Sequence, residues 1–146
     1  MCIEKTPWEQ VIDFHGHTCP EIALGYRVAQ IAKRELVFCP APEPTIKVTA
    51  YTHSCALDAI QLINKATYGR GNLIVEEKKL HVYHFQSIGQ YEELQISVRS
   101  EILEHLVDKK EQLSRREKQS MDIEAIRIIL GTEETLFCNI QNVKIS

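Results

Sequence analysis

The residues best able to do chemistry are gathered in one short run, Phe14-His-Gly-His-Thr-Cys-Pro20. His15, His17 and Cys19 stand at i, i+2 and i+4, so in an extended segment their side chains project on one side. A neutral imidazole and a thiolate are both good ligands for zinc and the later transition metals. Gly16 lets the backbone fold tightly between the two histidines. Cys19-Pro20 places a thiol just ahead of a helix, where the helix dipole favours an anion and is expected to lower the thiol pKa.

A second run, Tyr51-Thr-His53-Ser-Cys55-Ala56, repeats the arrangement. A strand ends, a histidine and a cysteine follow, and a helix begins, with Asp58 one turn further on. If the two runs meet, His17, Cys19 and Cys55 supply three ligands to one ion, and His15 or water supplies a fourth. An open fourth position marks a catalytic rather than a structural site. Zinc suits this donor set first, and nickel, iron or copper also fit it. Three functions are compatible with these residues. One is a metal-binding accessory or metal-handling protein. Another is a metal-dependent hydrolase or lyase with Asp58 as a base. The third is thiol redox chemistry by Cys19 and Cys55, which needs their Cα atoms within about 7 Å.

Each residue taken singly has a plainer reading. Cysteine is among the most buried residue types. His53 suits a hydrogen-bonded surface position, and Asp58 is favourable in a first helical turn through the dipole alone. Thr67-Tyr-Gly-Arg-Gly-Asn72 could offer backbone N–H groups and Arg70 to an anion. It lacks the Lys-Ser/Thr of a phosphate loop, so it reads as a helix C-cap at Gly69 and a turn into a strand. Cys2, Cys39 and Cys138 lack ligand-type neighbours at useful spacing. His81 and His84, three apart in a strand, face opposite sides. His105 and the Arg115-Arg116 pair belong to a charged, solvated helix face.

The elements that must position these residues follow from periodicity. Thr6-Pro-Trp-Glu9 is a helix start with the makings of a capping box, and Val11, Ile12 and Phe14 give that helix an apolar side. A second helix is predicted over Glu21–Leu36, with Gly25 inside it as a point of close packing. Cys39–Pro44 carries three prolines and must be loop. Thr45–Thr52 alternates as a strand. Ala56–Ala66 reads as a helix. Leu73–Glu76 and Leu80–Gln86 read as strands joined by the Glu76–Lys79 turn, and Leu94–Val98 as another. Glu101–Lys118 reads as one long helix, Asp122–Leu130 as a short one ending at Gly131, and Leu136–Ile145 as a closing strand. The expected class is α+β, a mixed or antiparallel sheet packed with helices, in a single domain over 1–146.

Composition narrows the partners. The chain has 146 residues, 44% of them hydrophobic and 25% charged, the usual balance for a chain that buries a core. A net charge of −3 argues against nucleic-acid or anionic-membrane binding by bulk electrostatics. The five cysteines are odd in number and widely spread, which excludes a complete set of intrachain disulfides. The opening residues have acidic side chains and no apolar run, so they do not read as a signal peptide, and no stretch approaches a membrane span. The expected setting is reducing and cytoplasmic.

These residues carry a resemblance. The run Phe14-His-Gly-His-Thr-Cys-Pro-Glu-Ile-Ala-Leu-Gly-Tyr-Arg27 resembles the opening signature of the FmdE family, named for formylmethanofuran dehydrogenase. The block Cys55-Ala-Leu-Asp-Ala-Ile-Gln61, followed by Thr67-Tyr-Gly-Arg-Gly-Asn-Leu73, is similar to that family's other signature. Glu-Thr-Leu-Phe at 134–137 resembles the end of its core domain. The resemblance implies an α+β core, commonly a homodimer, with a metal site built from the two blocks; a metalloenzyme partner belongs to the accessory-protein reading and is not implied by the resemblance. It assigns His17, Cys19 and Cys55 to the metal with His15 close by, and sets Asp58 and Gln61 beside them. Gly25, Arg27, Gly69, Gly71 and Asn72 would shape the surroundings. Two departures stand out. Lys65-Ala66 occupies the place of a Gly-Cys pair found in many members, so a thiol at 66 is lost. The chain ends at Ser146 without the C-terminal zinc finger of some members, so finger-mediated partner binding does not carry over. The family name comes from the operon of a molybdenum or tungsten enzyme of methanogens.

Overall fold

Thr6 opens the first helix in the way its sequence demands. Its hydroxyl accepts from the Glu9 amide at 3.2 Å and donates to the Glu9 carboxylate at 3.0 Å. The helix, α1, runs Pro7–His15 and stops because Gly16 turns left-handed at φ 97°. That conformation is open to glycine without steric cost. Val11 is buried, but Phe14 faces solvent, so the apolar side expected of this helix is narrower than its composition suggests. The computed structural model describes residues 6–16, 18–35, 46–64, 66–67, 69, 71–87, 92–106 and 114–144. The predicted proline-rich loop over 39–44 lies outside them, as do Cys2, Cys39 and His17.

The remaining elements are α2 (Pro20–Glu35), β1 (Ile46–Ala50), α3 (Ala56–Ile63), β2 (Leu73–Val75), β3 (Val82–Ser87) and β4 (Glu92–Val98). They continue with a short helix α4 (Ser100–Leu103) running into a 3-10 turn at Glu104–Leu106, then α5 (Arg115–Gly131), α6 (Glu134–Phe137) and β5 (Cys138–Lys144). The five strands form one sheet in the order β2-β1-β3-β4-β5. Only β1 and β2 run parallel, and they are linked through α3. The class is α+β with a mixed sheet, as expected.

The register puts one apolar face together. Val48 lies opposite Phe85, which lies opposite Leu94, and the row through Ala50, Tyr83 and Ile96 repeats it two residues on. All six are fully buried. Leu24, Val28 and Ile31 of α2, Leu57 and Ile60 of α3 and Ile129 of α5 complete this core. The opposite face carries Thr49, His84 and Gln95 in one row, and His84 meets Glu93 at 3.2 Å. His84 and Tyr83 thus face opposite ways, as period two requires.

Three expected elements differ from what is observed. Leu73–Val75 and Val82–Ser87 do not pair with each other, because β1 lies between them. Alternation selects a face but not a neighbour, and the 76–79 turn has no residue pair that closes a tight hairpin. The long helix over 101–118 is broken. Ser114 caps Glu117 at 3.2 Å and starts a new helix that runs straight through Asp122 to Gly131. Ser114-Arg-Arg-Glu117 is a capping box inside a charged stretch, and it ends the helical period set by Ile102 and Leu106. The closing strand starts at Cys138 rather than Leu136, which sits exposed in α6.

Gly25 fixes the helix packing next to the candidate site. A Cβ at this position would lie 2.4 Å from the carbonyl oxygen of Ala56 and 2.5 Å from its Cα. Only glycine lets α2 approach the first turn of α3 this closely, and that turn begins at Cys55.

Candidate metal centre

His15 ends α1, Cys19 stands immediately before α2, and Cys55 is the residue on which α3 starts. Three helix ends therefore meet. One ligand atom from each of His15, Cys19 and Cys55 lies within 4.8 Å of the others. His15 Nε2 is 3.9 Å from Cys19 Sγ. The backbone turns left-handed at Gly16, so His15 and Cys19 do not come together along the extended run that the spacing suggested. In a helix-to-helix turn His15 reaches Cys19 across four residues. Val11, Ile22 and Ala59 form a small apolar cluster with Cys19 packed against it, one residue from each of the three helices.

His15 is oriented from its other side. Its Nδ1 lies 2.6 Å from Asp58 Oδ2, and Gln61 Nε2 donates to Asp58 Oδ1 at 3.2 Å. A carboxylate only accepts, so the imidazole proton belongs on Nδ1 and the lone pair of Nε2 is left facing the thiols. This is the carboxylate–histidine arrangement found behind metal ligands.

The thiols differ from the expectation of helix-end activation. Burial pushes Cys19 up from its ordinary value of 9.0, although the amides of Ile22 and Glu21 and the Cys55 side chain pull the other way. Cys55 is pushed up to about 12 by burial, by Cys19 and by the carboxylates of Glu21 and Asp58. Here desolvation and neighbouring acidic groups outweigh the helix dipole. Burial and the neighbouring carboxylates thus disfavour a free thiolate at either cysteine.

Glu21 is a site residue that the sequence hides. Its carboxylate accepts the Cys55 amide at 3.3 Å and acts electrostatically on Cys19, Cys55, His81 and Tyr83. An acid in the first turn of a helix reads as a dipole partner, so nothing in the sequence distinguishes it. Behind it, His81 Nδ1 meets the buried Tyr83 hydroxyl at 3.1 Å, and that hydroxyl also hydrogen-bonds the Ser54 side chain. Glu77 secures the approach to Cys55 by accepting from the His53 amide at 2.7 Å and the Thr52 hydroxyl at 3.2 Å. Beside the triad opens a cavity of about 350 Å³, bordered by His15, Glu21, His53, Cys55, Asp58 and Gln61.

Other candidates are placed elsewhere. His53 borders the cavity without joining the ligand cluster. Arg27 does not reach the site. Its Nη1 donates to the carbonyls of Ile129 at 2.9 Å and Thr132 at 2.5 Å, and its guanidinium lies 4.6 Å from the Phe137 ring centroid. It closes the C-terminus of α5. Asn72 anchors its loop to β1: Nδ2 donates to Ile46 and Oδ1 accepts the Thr67 amide. Helix α3 ends with Asn64, not Gly69, as its C-cap. Arg70 lies outside the described residues. Cys138 is buried, and its thiol is pushed up to about 11 by burial.

The donor set fits a divalent transition metal. Two thiols and one imidazole nitrogen are within a small adjustment of the roughly 3.5–4 Å that separates ligands sharing a tetrahedral zinc. An α+β domain with a His/Cys cluster at three helix ends is thus the class of protein that fold and site define. The model of the FmdE family, described as molybdenum formylmethanofuran dehydrogenase operon, matches residues 14–139. The chain belongs to this family. Among solved structures it is similar to a tungsten formylmethanofuran dehydrogenase FmdE-like protein from Syntrophus aciditrophicus, at 21% identity and a TM-score of 0.61, covering 94% of this chain and 70% of that one. That likeness is one of fold. No curated protein matches the chain. Among the described residues no helix is long and apolar enough to cross a membrane.

Proposed function

We propose that this chain is a metal-binding protein that holds a transition metal ion, zinc first, through His15, Cys19 and Cys55, in an accessory or metal-handling role. The observation that carries the reading is the convergence of these three ligand atoms within 4.8 Å, with His15 held by Asp58. Residues 36 positions apart in sequence bring their thiols together at helix starts where burial opposes the free thiolate. A bound cation reverses that cost by pairing with the thiolates. His17 or water belongs to the proposal as the fourth ligand, and with water there the ion keeps an exchangeable position. The homodimer, a metalloenzyme partner and a cytoplasmic setting belong to it as well.

A second reading, a metal-dependent hydrolase or lyase, is favoured by the cavity that borders His15 and Cys55. Three protein ligands and an open side are the layout of catalytic zinc sites, where the ion supplies Lewis acidity. In that case Asp58 does not serve as the base, since both its oxygens are engaged by His15 and Gln61. Thiol redox chemistry is less well supported, because both thiols are pushed away from the reactive thiolate form.

Metal analysis of purified protein tests the proposal. Wild type should carry close to one ion per chain, and Cys19→Ala and Cys55→Ala should each lose most of it. Unchanged metal content in both variants would sink the reading. Size-exclusion chromatography with light scattering decides the oligomeric state.

A further inference from the structure

The cavity beside the triad has a chemical bias that the ligand cluster alone does not disclose. Of the described residues bordering it, Glu21 and Asp58 are acidic and none is lysine or arginine. Two thiolates already balance a divalent ion, so the acids leave the mouth of the site negative. An anion entering there meets like charge at short range, where solvent screening is weakest. The charged hydrogen-bonding groups of the wall are both acceptors. Glu21 and Asp58 can only accept, with the Asp58 oxygens shared with His15 and Gln61, and the donors on the wall are neutral: the second Gln61 N–H, the Ser54 hydroxyl and the His53 ring. His15 spends its N–H on Asp58. Leu57 adds an apolar patch to the wall. About 350 Å³ sits at the small end of ligand pockets.

We propose that this pocket takes a small uncharged nitrogen ligand bearing N–H groups, and that Glu21 makes it reject anions. The inference rests on the metal reading above, because the ligand would approach the open side of the ion. Imidazole is the probe for the favoured class. Acetate and azide probe the rejected one. Glu21 acts here as a specificity determinant. Glu21→Gln removes its charge while keeping an oxygen to accept the Cys55 amide.

The experiment uses the full chain loaded with Co²⁺, read by its thiolate-to-cobalt charge-transfer band and its visible ligand-field bands. Each probe is titrated at fixed pH and ionic strength into wild type and into Glu21→Gln. Comparing the two proteins cancels the intrinsic preference of cobalt for each probe. The expected result is that Glu21→Gln tightens acetate and azide at least roughly fivefold and leaves imidazole unchanged or weaker, with the charge-transfer band intact in both proteins. A charge-transfer band with an unaltered imidazole-to-acetate ratio overturns the ligand preference alone. Failure of wild type to develop the band overturns the metal reading, and the preference with it.

Discussion

His15 and Asp58, 43 residues apart, meet at 2.6 Å across the ends of two helices. The contact decides which nitrogen of His15 carries the proton, and so which one faces Cys19. Under the proposed metal reading, it gives Asp58 a positioning role behind the ligands. Asp58→Ala should weaken metal binding about 10- to 100-fold, the usual cost of losing a carboxylate behind a ligating histidine. Asp58→Asn should recover part of the loss, since its amide oxygen still accepts from Nδ1. Competition with a chromophoric chelator measures both. Equal affinity in wild type and Asp58→Ala would remove Asp58 from the site.

Gly25 and Gly131 make a matched pair of substitutions. Gly25→Ala drives a methyl group into the backbone of Ala56, which cannot swing aside as a side chain can. Overpacking costs about 1–3 kcal/mol, and this position should reach the top of that range and lower metal affinity too. Gly131→Ala meets nothing within 4 Å at the end of α5. It should be neutral or stabilising by up to about 1 kcal/mol. Urea midpoints compare the two directly.

Arg27 tests whether the fold and the site are separable. Replacing it with Met leaves the carbonyls of Ile129 and Thr132 without their charged donor and removes the contact with Phe137. Charge-assisted hydrogen bonds contribute about 1.5–3 kcal/mol, so Arg27→Met should lose roughly that much stability. Its metal stoichiometry should stay at the wild-type level. Loss of metal at full stability would place Arg27 at the centre after all.

The pH dependence should change sign with metal. Cys55 titrates at about 12 in the fold against 9.0 for an ordinary thiol, and Cys19 also lies above 9.0. The folded state therefore keeps protons that the unfolded chain releases. Metal-free protein should be steady below pH 9 and lose stability as pH climbs towards 12. Cys55→Ala should flatten part of that decline. Metal binding must expel the same protons, so between pH 6 and 8 the apparent affinity should rise by up to about 100-fold per pH unit for two thiols. Urea unfolding of the metal-free protein and chelator competition at several pH values separate the two trends.

Much of this was legible in the residues. Thr6 and Glu9 make a capping box, Gly25 marks a close approach, and Val48 and Ala50 alternate into the core as their spacing requires. Cys19 and Cys55 stand out because each precedes a helix and follows a histidine. Glu21, Ser54 and Tyr83 do not stand out, because an acid in a first turn, a serine before a helix and an aromatic in a strand are ordinary where they stand. The break at Ser114 was masked by charged residues on both sides of it.

By itself, the sequence determined what is local: periodicity, caps and the supply of metal-type ligands. These depend on neighbours a few residues away, and side-chain type and spacing specify them. Tertiary structure alone decided which elements became neighbours. Inserting β1 between β2 and β3 brings the 76–81 crossing over the end of β1, where Glu77 holds the chain ahead of Cys55. Packing Gly25 on Ala56 brings Cys55 to Glu21 and Cys19. Burial there, a property of the assembled fold, raised the thiol pKa values where the helix ends alone would have lowered them.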